Sequence, residues 1–194
     1  IMIPGALQTA ATATAILSGH HDGLTEDQIA VRLETRSRRR AELLARRDFP
    51  ATFLLLEESV LKRRIGDART TGEQLLDLLK LSREKPISIR VLPYTADAPL
   101  PVIGPFDILT LAGSGSNEVL YRESHLTDEL VEDQASVARH RALFDSWWEA
   151  ALDEPSSAQM VEQSAKEFLE SSRATAGSTP PPPPAPAPPR ARSA

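Results

Sequence analysis

His20-His21-Asp22 is a run in this chain where histidines adjoin a carboxylate, all of them metal-ligand types. A metal site needs three or four ligands converging in space, and adjacent residues do not easily share one ion. His125 and His140 stand at no ligand spacing to the pair. The pattern therefore predicts a polar inter-helix loop, with no metal and no cofactor. Glu57-Glu58 follow an apolar run, where a carboxylate can do acid/base work if a second group faces it. Successive strand residues point to opposite faces, and Lys62, Arg63 and Arg64 lie close by, so local ion pairing is the expectation. Gly113-Ser114-Gly115-Ser116 lacks the G-x-S-x-G order of a nucleophile elbow and the Gly-Lys-Ser/Thr of a phosphate loop. The absence of cysteine excludes disulfides, thiolate catalysis and Cys-ligated zinc, and is compatible with a reducing cytosol. These residues predict no catalytic group. An enzyme acting on a small molecule, anchored on Glu57, Arg90 and Tyr121, is the alternative from another class.

Two further clusters point to binding. Arg32, Arg36, Arg38, Arg39, Arg40, Arg46 and Arg47 share one predicted helix. At about 100° per residue they spread around it, and Glu34, Glu42 and Asp48 dilute them. The cluster is either a solvated face or an edge contact with DNA phosphates or an acidic partner, for which Arg36, Arg39 and Arg40 are the candidates. Trp147-Trp148 stand out where aromatics are only 5 % of residues. Two consecutive helical residues cannot both face one core. One indole is expected inside and the other at a boundary, either under the last helix or at an interface or pocket wall. Glu57, Arg90 and Tyr121 are the other candidates for that surface.

Length and charge set the frame. A chain of 194 residues suits one domain, and about 170 are foldable, because from Ser171 on the residues are almost all Ala, Ser, Thr, Gly, Pro and Arg. A regulatory domain is expected over residues 1–170 and a disordered, Pro-rich tail over 171–194. The net charge of −5 lacks the basic footprint of a domain that grips nucleic acid by itself. No apolar run approaches the roughly 20 residues of a membrane span, and residues 1–17 lack the positive region of a signal peptide. With Ile1 first and Met2 behind it, the chain reads as a piece of something longer.

The elements that would position these residues follow from periodicity. A short helix is predicted from Ala6 to Leu17. Thr25-Glu26-Asp27-Gln28 is a capping box that opens a helix running to Arg46. Phe53-Leu54-Leu55-Leu56 reads as a buried strand, Glu57 to Arg64 as a short amphipathic helix, and Thr71 to Leu81 as a helix. Ile87, Ile89 and Val91 alternate with polar residues as in a half-buried strand, and Phe106–Leu111 with Val119-Leu120-Tyr121 as a hairpin. A long helix is expected from Asp128 to Leu152 and a last one from Ser157 to Leu169, separated by a break at Pro155-Ser156-Ser157. The fold class is α+β: a small antiparallel sheet of about four strands with flanking helices and a C-terminal helical pair. Its core is expected to hold Leu55, Ile89, Val91, Phe106, Ile108 and Leu120.

Read in order, the segments resemble one family. Ile3-Pro4-Gly5-Ala6-Leu7-Gln8-Thr9 is similar to its opening V-P-G-L-L-Q-T. The likeness continues at Asp48-Phe49-Pro50, Leu56 to Gly66, Glu73-Gln74-Leu75, Ile87 to Pro93, Gly104-Pro105-Phe106, Val119 to Glu123, Val137 to Phe144 and Ala150 to Ser157. This resembles the uncharacterised domain found behind an Xre-type helix-turn-helix in actinobacterial regulators, the WhiJ-like and antitoxin-like group. A family-typical Gly is replaced near Asp97-Ala98, and the proline tail lies outside the likeness. The resemblance implies a cytoplasmic, non-catalytic regulatory module of a transcription regulator that senses a ligand, dimerises or binds a partner. The partners it implies are a second copy, a small protein encoded nearby as for an antitoxin, and DNA only through a helix-turn-helix absent from this chain.

Overall fold

A computed structural model describes residues 3–19, 25–98, 104–111, 117–123 and 128–177. The His20-His21-Asp22 pattern, His125, the Gly113 to Ser116 turn and residues 178–194 of the expected tail lie outside the described residues, whereas its residues 171–177, expected to be disordered, are helical. The fold is α+β with two small sheets, not one four-stranded sheet. After a 3-10 turn at Gly5–Leu7 come helices α1 (Ala10–Gly19) and α2 (Glu26–Ala45). Strand β1 (Thr52–Glu57), helix α3 (Glu58–Lys62), helix α4 (Ala68–Glu84) and strand β2 (Ile87–Leu92) form the next unit. Strands β3 (Phe106–Leu111), β4 (Asn117–Glu123) and β5 (Asp128–Val131) precede helices α5 (Gln134–Ala150) and α6 (Glu154–Gly177).

Strands β1 and β2 pair in parallel, from Thr52↔Ile87 to Glu57↔Leu92. The expected antiparallel pairing fails because the connection is a helical crossover, which returns the chain to the same end of the sheet. Alternation puts Leu54, Leu56, Ile87, Ile89 and Val91 on one buried face. They join Leu75, Leu78 and Leu79 of α4 with Val161 and Ala165 of α6 in the main core. Leu55 belongs to the opposite face and is only half-buried, so the expected core residue is replaced by its two neighbours. Strands β3, β4 and β5 form a separate antiparallel sheet. Leu120 is fully buried there, while Phe106 and Ile108 are half-buried. The residues from Asp128 form β5 rather than the start of a helix, and α5 begins at Gln134 behind the cap residue Asp133.

Helices α4 and α6 pack closely at Gly72. A Cβ at that position would lie 2.7 Å from Leu169 Cγ and 3.1 Å from the Ala165 carbonyl oxygen. The break between the two last helices falls slightly earlier than expected, at residues 151–153, and Pro155-Ser156-Ser157 lies in the first turn of α6, where proline costs no hydrogen bond. That helix also runs beyond the expected Leu169, to Gly177. Ser157, fully buried, accepts the Val91 N–H at 2.9 Å, and Leu152 N–H donates to the Val91 carbonyl at 2.9 Å. The α5–α6 link thus satisfies the outer edge of β2 where a third strand would otherwise be needed. At the other end of the chain, Gln74 of α4 is buried. Its Oε1 accepts the Thr9 N–H at 2.7 Å and its Nε2 donates to the Leu7 carbonyl at 3.0 Å.

Three helices start on aspartate caps. The amide and then the hydroxyl of Thr70 hold Asp67 below the ordinary aspartate value of 3.8, and the hydroxyl and amide of Ser136 do the same for Asp133. Asp153 is lowered by the hydroxyl and amide of Ser156. A depressed folded value means that the stabilisation is complete above the unfolded value and is lost as pH falls through the folded one. Melting temperature is therefore expected to fall below about pH 4. Replacing all three by Asn, an equally good cap that does not titrate, should flatten that part of the profile. An unchanged acid limb in the triple variant would show that other groups control it.

Candidate functional site

Helix α5 bridges the two sheets. Strand alternation puts Phe53, Leu55, Ser88 and Arg90 on the face of β1–β2 away from the main core, and α5 lies against it. Trp147 turns inward, is 5 % exposed, and meets the Phe106 ring of β3 at 6.2 Å between centroids. Phe106 also meets His140 edge-on at 5.1 Å. Trp148 is half-buried at the boundary. The Arg90 guanidinium carbon sits 4.8 Å from the centre of its ring. Phe53 meets that indole edge-on at 5.6 Å, and Phe144 stacks on it with 22° between planes. Arg90 Nη1 donates to the Trp148 carbonyl at 3.0 Å, and its Nε is buried without an acceptor. Phe53, at 59 % exposure, carries the cluster to the surface. One indole inside and one at the boundary is what 100° per residue requires.

The remaining candidates separate. Glu57 shares the Arg90 face two rungs along, and its carboxylate accepts the Ser59 hydroxyl at 3.1 Å. Tyr121 lies in the other sheet, opposite Asp107 and Leu130. Alternation puts it on the face away from Glu118, whose carboxylate pairs with Arg141 of α5. The structure thus brings Arg90 to Trp148 and leaves Tyr121 outside that surface. The arginines of α2 divide as well. Arg36 Nη1 donates to Gln8 Oε1 at 3.3 Å, Arg40 pairs with Asp77 of α4, and Arg39 is exposed.

Residue type and spacing mark none of Phe53, Phe144, Gln8, Gln74 and Asp77 as a site residue. Gln8 and Gln74 do lie in the segments that carry the resemblance, Ile3 to Thr9 and Glu73-Gln74-Leu75. The structure shows why they go together: the amide of Gln74 holds the backbone on either side of Gln8.

The family model described as a domain of unknown function, DUF5753, matches residues 1–163. The chain belongs to the DUF5753 family. No curated protein and no solved structure matches it. The DUF5753 match takes in all of α5, both sheets and the start of α6, so the Phe53–Arg90–Trp148 cluster and the arginines of α2 all lie inside it. No helix among the described residues of this DUF5753 chain is long and apolar enough to cross a membrane.

Proposed function

We propose that this DUF5753 chain is a cytoplasmic, non-catalytic regulatory domain of a DNA-binding transcription regulator. It receives its signal through the α5–β2 surface. The observation that carries this reading is the aromatic cluster of Phe53, Phe144 and Trp148 with Arg90 stacked on it, reaching solvent at Phe53. Tryptophan and arginine are enriched among the residues that dominate binding energy at interfaces. The Glu57, Arg90 and Tyr121 side chains that an enzyme would use are engaged in structure or lie on different sheets. The resemblance to the domain behind Xre-type helix-turn-helix modules supplies the regulatory context. The net charge of −5 agrees with DNA being bound through another module. A second copy of the chain, or a small protein encoded beside it in the manner of an antitoxin pair, is the occupant.

Sedimentation and gel shift test the two halves of the proposal. Phe53→Ala should weaken self-association or partner capture with little change in melting temperature, because this ring is mostly exposed. Trp148→Ala should weaken association and also cost some stability. The unaltered chain should bind DNA without sequence preference and only at micromolar or higher concentration, as for non-specific contacts of roughly 10⁻⁴–10⁻⁶ M. Nanomolar, sequence-specific binding by this chain would overturn the assignment of DNA recognition to another module. Unchanged association in both variants would overturn the surface.

A further inference from the structure

The two outer edges of the β1–β2 sheet differ. Thr52 N–H donates to the Pro86 carbonyl at 2.9 Å, which sets the phase of the parallel ladder. Thr52, Leu54 and Leu56 turn their backbone groups toward β2, and Phe53, Leu55 and Glu57 turn theirs away from it. On β2 the outward residues are Ile87, Ile89 and Val91, and the α5–α6 link satisfies Val91 through Ser157 and Leu152. No described residue does the same for β1. Neither the N–H nor the carbonyl of Phe53 or Leu55 bonds to another described residue.

An open edge of this kind is a template for another strand, and proteins usually guard it with a lysine, a proline or a bulge. Residues Thr52 to Leu56 contain no charge and no proline, and the register with β2 runs unbroken. Phe53 stands on this edge at 59 % exposure. An identical strand meets no repulsion along these residues. It also brings the same unpaired groups, so that each copy satisfies the other, as the self-complementary patch of a two-fold interface does. The edge is continuous with the α5–β2 surface, because Phe53 belongs to both.

We propose that β1 pairs with β1 of a second copy, antiparallel across a two-fold axis at Leu55. The axis stands normal to the sheet, so each face of one copy continues as the same face of the other. Outward residues then oppose outward residues, and the register centred on Leu55 engages all three of them. Leu55 exchanges both backbone bonds with the partner's Leu55, and Phe53 pairs with the partner's Glu57. A register centred on Glu57 would instead oppose two carboxylates, which is unfavourable. The result is a continuous sheet in the order β2-β1-β1-β2, with both aromatic clusters on one face. The inference rests on the reading of the Phe53–Trp148 surface as an interface, and deepens it by fixing the occupant as a second copy and giving its pairing. Two DNA-binding modules would then be related by the same axis, as paired half-sites require.

Sedimentation of the full chain over a concentration series tests the inference, with melting temperature as the control on folding. The unaltered chain should dimerise. Leu55→Pro removes the outward N–H at the axis and no bond to β2, a place where an edge strand tolerates proline. It should weaken dimerisation about tenfold or more, since two symmetry-related donors are lost. Phe53→Glu sets a carboxylate against the partner's Glu57, whereas Phe53→Lys sets a cation there, so the lysine variant should dimerise about tenfold more tightly than the glutamate one. If Leu55→Pro melts below the parent, this second comparison, at a mostly exposed position, carries the test. The chain has no cysteine, so Phe53→Cys and Glu57→Cys chains, mixed and oxidised, should form a linked heterodimer faster than either forms a homodimer. Opposed antiparallel residues lie within disulfide reach. A chain that stays monomeric at every concentration, or a folded Leu55→Pro that dimerises like the parent, would overturn the strand pairing. Equal dimerisation of the two Phe53 variants, or no preference for the mixed disulfide, would overturn the register. None of these outcomes removes the α5–β2 surface, which falls only if Phe53→Ala and Trp148→Ala leave association with every partner unchanged.

Discussion

Gly72→Val is expected to lower stability by about 3 kcal/mol, at the upper end of the cost of overpacking a close-packed core. The new Cβ alone would meet Leu169 Cγ at 2.7 Å and the Ala165 carbonyl at 3.1 Å. The leucine can turn away, but the carbonyl belongs to the backbone of α6 and moves only with the helix. Separating α4 from α6 loosens Leu75, Leu78, Val161 and Ala165 together. For a domain of this size the change corresponds to roughly 6–12 °C in melting temperature. Gly72→Ala should cost less, since alanine gains about 1 kcal/mol of helix propensity over glycine. Adding Leu169→Ala to Gly72→Ala should recover part of the loss, because the side chain first met is then shortened. Wild-type melting in Gly72→Val would show that the two helices do not approach as described.

Gln74→Leu is expected to cost about 2–6 kcal/mol, from leaving one part-buried N–H and one buried carbonyl unpaired at roughly 1–3 kcal/mol each. The lost partners are the Thr9 N–H and the Leu7 carbonyl. The effect should be local as well as global. Amide exchange at Thr9 and along α1 should accelerate far more than exchange in β1 or β2, because the amide clamps the N-terminal segment and does not support the sheet. Gln74→Glu should not rescue, since it keeps the acceptor, loses the donor and buries a charge. Continued protection of the Thr9 amide in Gln74→Leu would show that the segment is held by apolar packing of Ile3 and Leu7 instead.

These residues also show what a sequence reveals. The Thr25–Gln28 capping box is local chemistry, and it forms with both of its reciprocal hydrogen bonds. The division of labour between Trp147 and Trp148 follows from helix geometry alone. Pairing of β1 with β2 is not local, and its direction depends on the helix between them. The strand–helix–strand order was visible, and a parallel crossover is what that order favours. The run Phe53-Leu54-Leu55-Leu56 carries no alternation, so nothing in it says that Leu54 and Leu56 face the core rather than Leu55. Asp128–Val131 is too short and too acidic to read as a strand without its partner β4. Arg90 lies 58 residues from the Trp148 carbonyl it holds, a contact no pattern displays. The buried glutamines were hidden for another reason: a polar residue on an inner face looks like a gap in the apolar stripe, and only a partner backbone explains it.

The clamp at Gln74 and the packing of α6 on α4 also fix an order of events during synthesis. The segment around Ile3 and Leu7 emerges before its anchor, since Thr9 and Gln74 are 65 residues apart. Even then α4 still lacks Val161 and Ala165, which close the same core about ninety residues later. At roughly 5–20 residues per second, that interval lasts about 5–20 seconds on the ribosome. Through that time the leucines of β1 and α4 form a half-built surface, open to any chaperone or neighbouring chain that reaches them first.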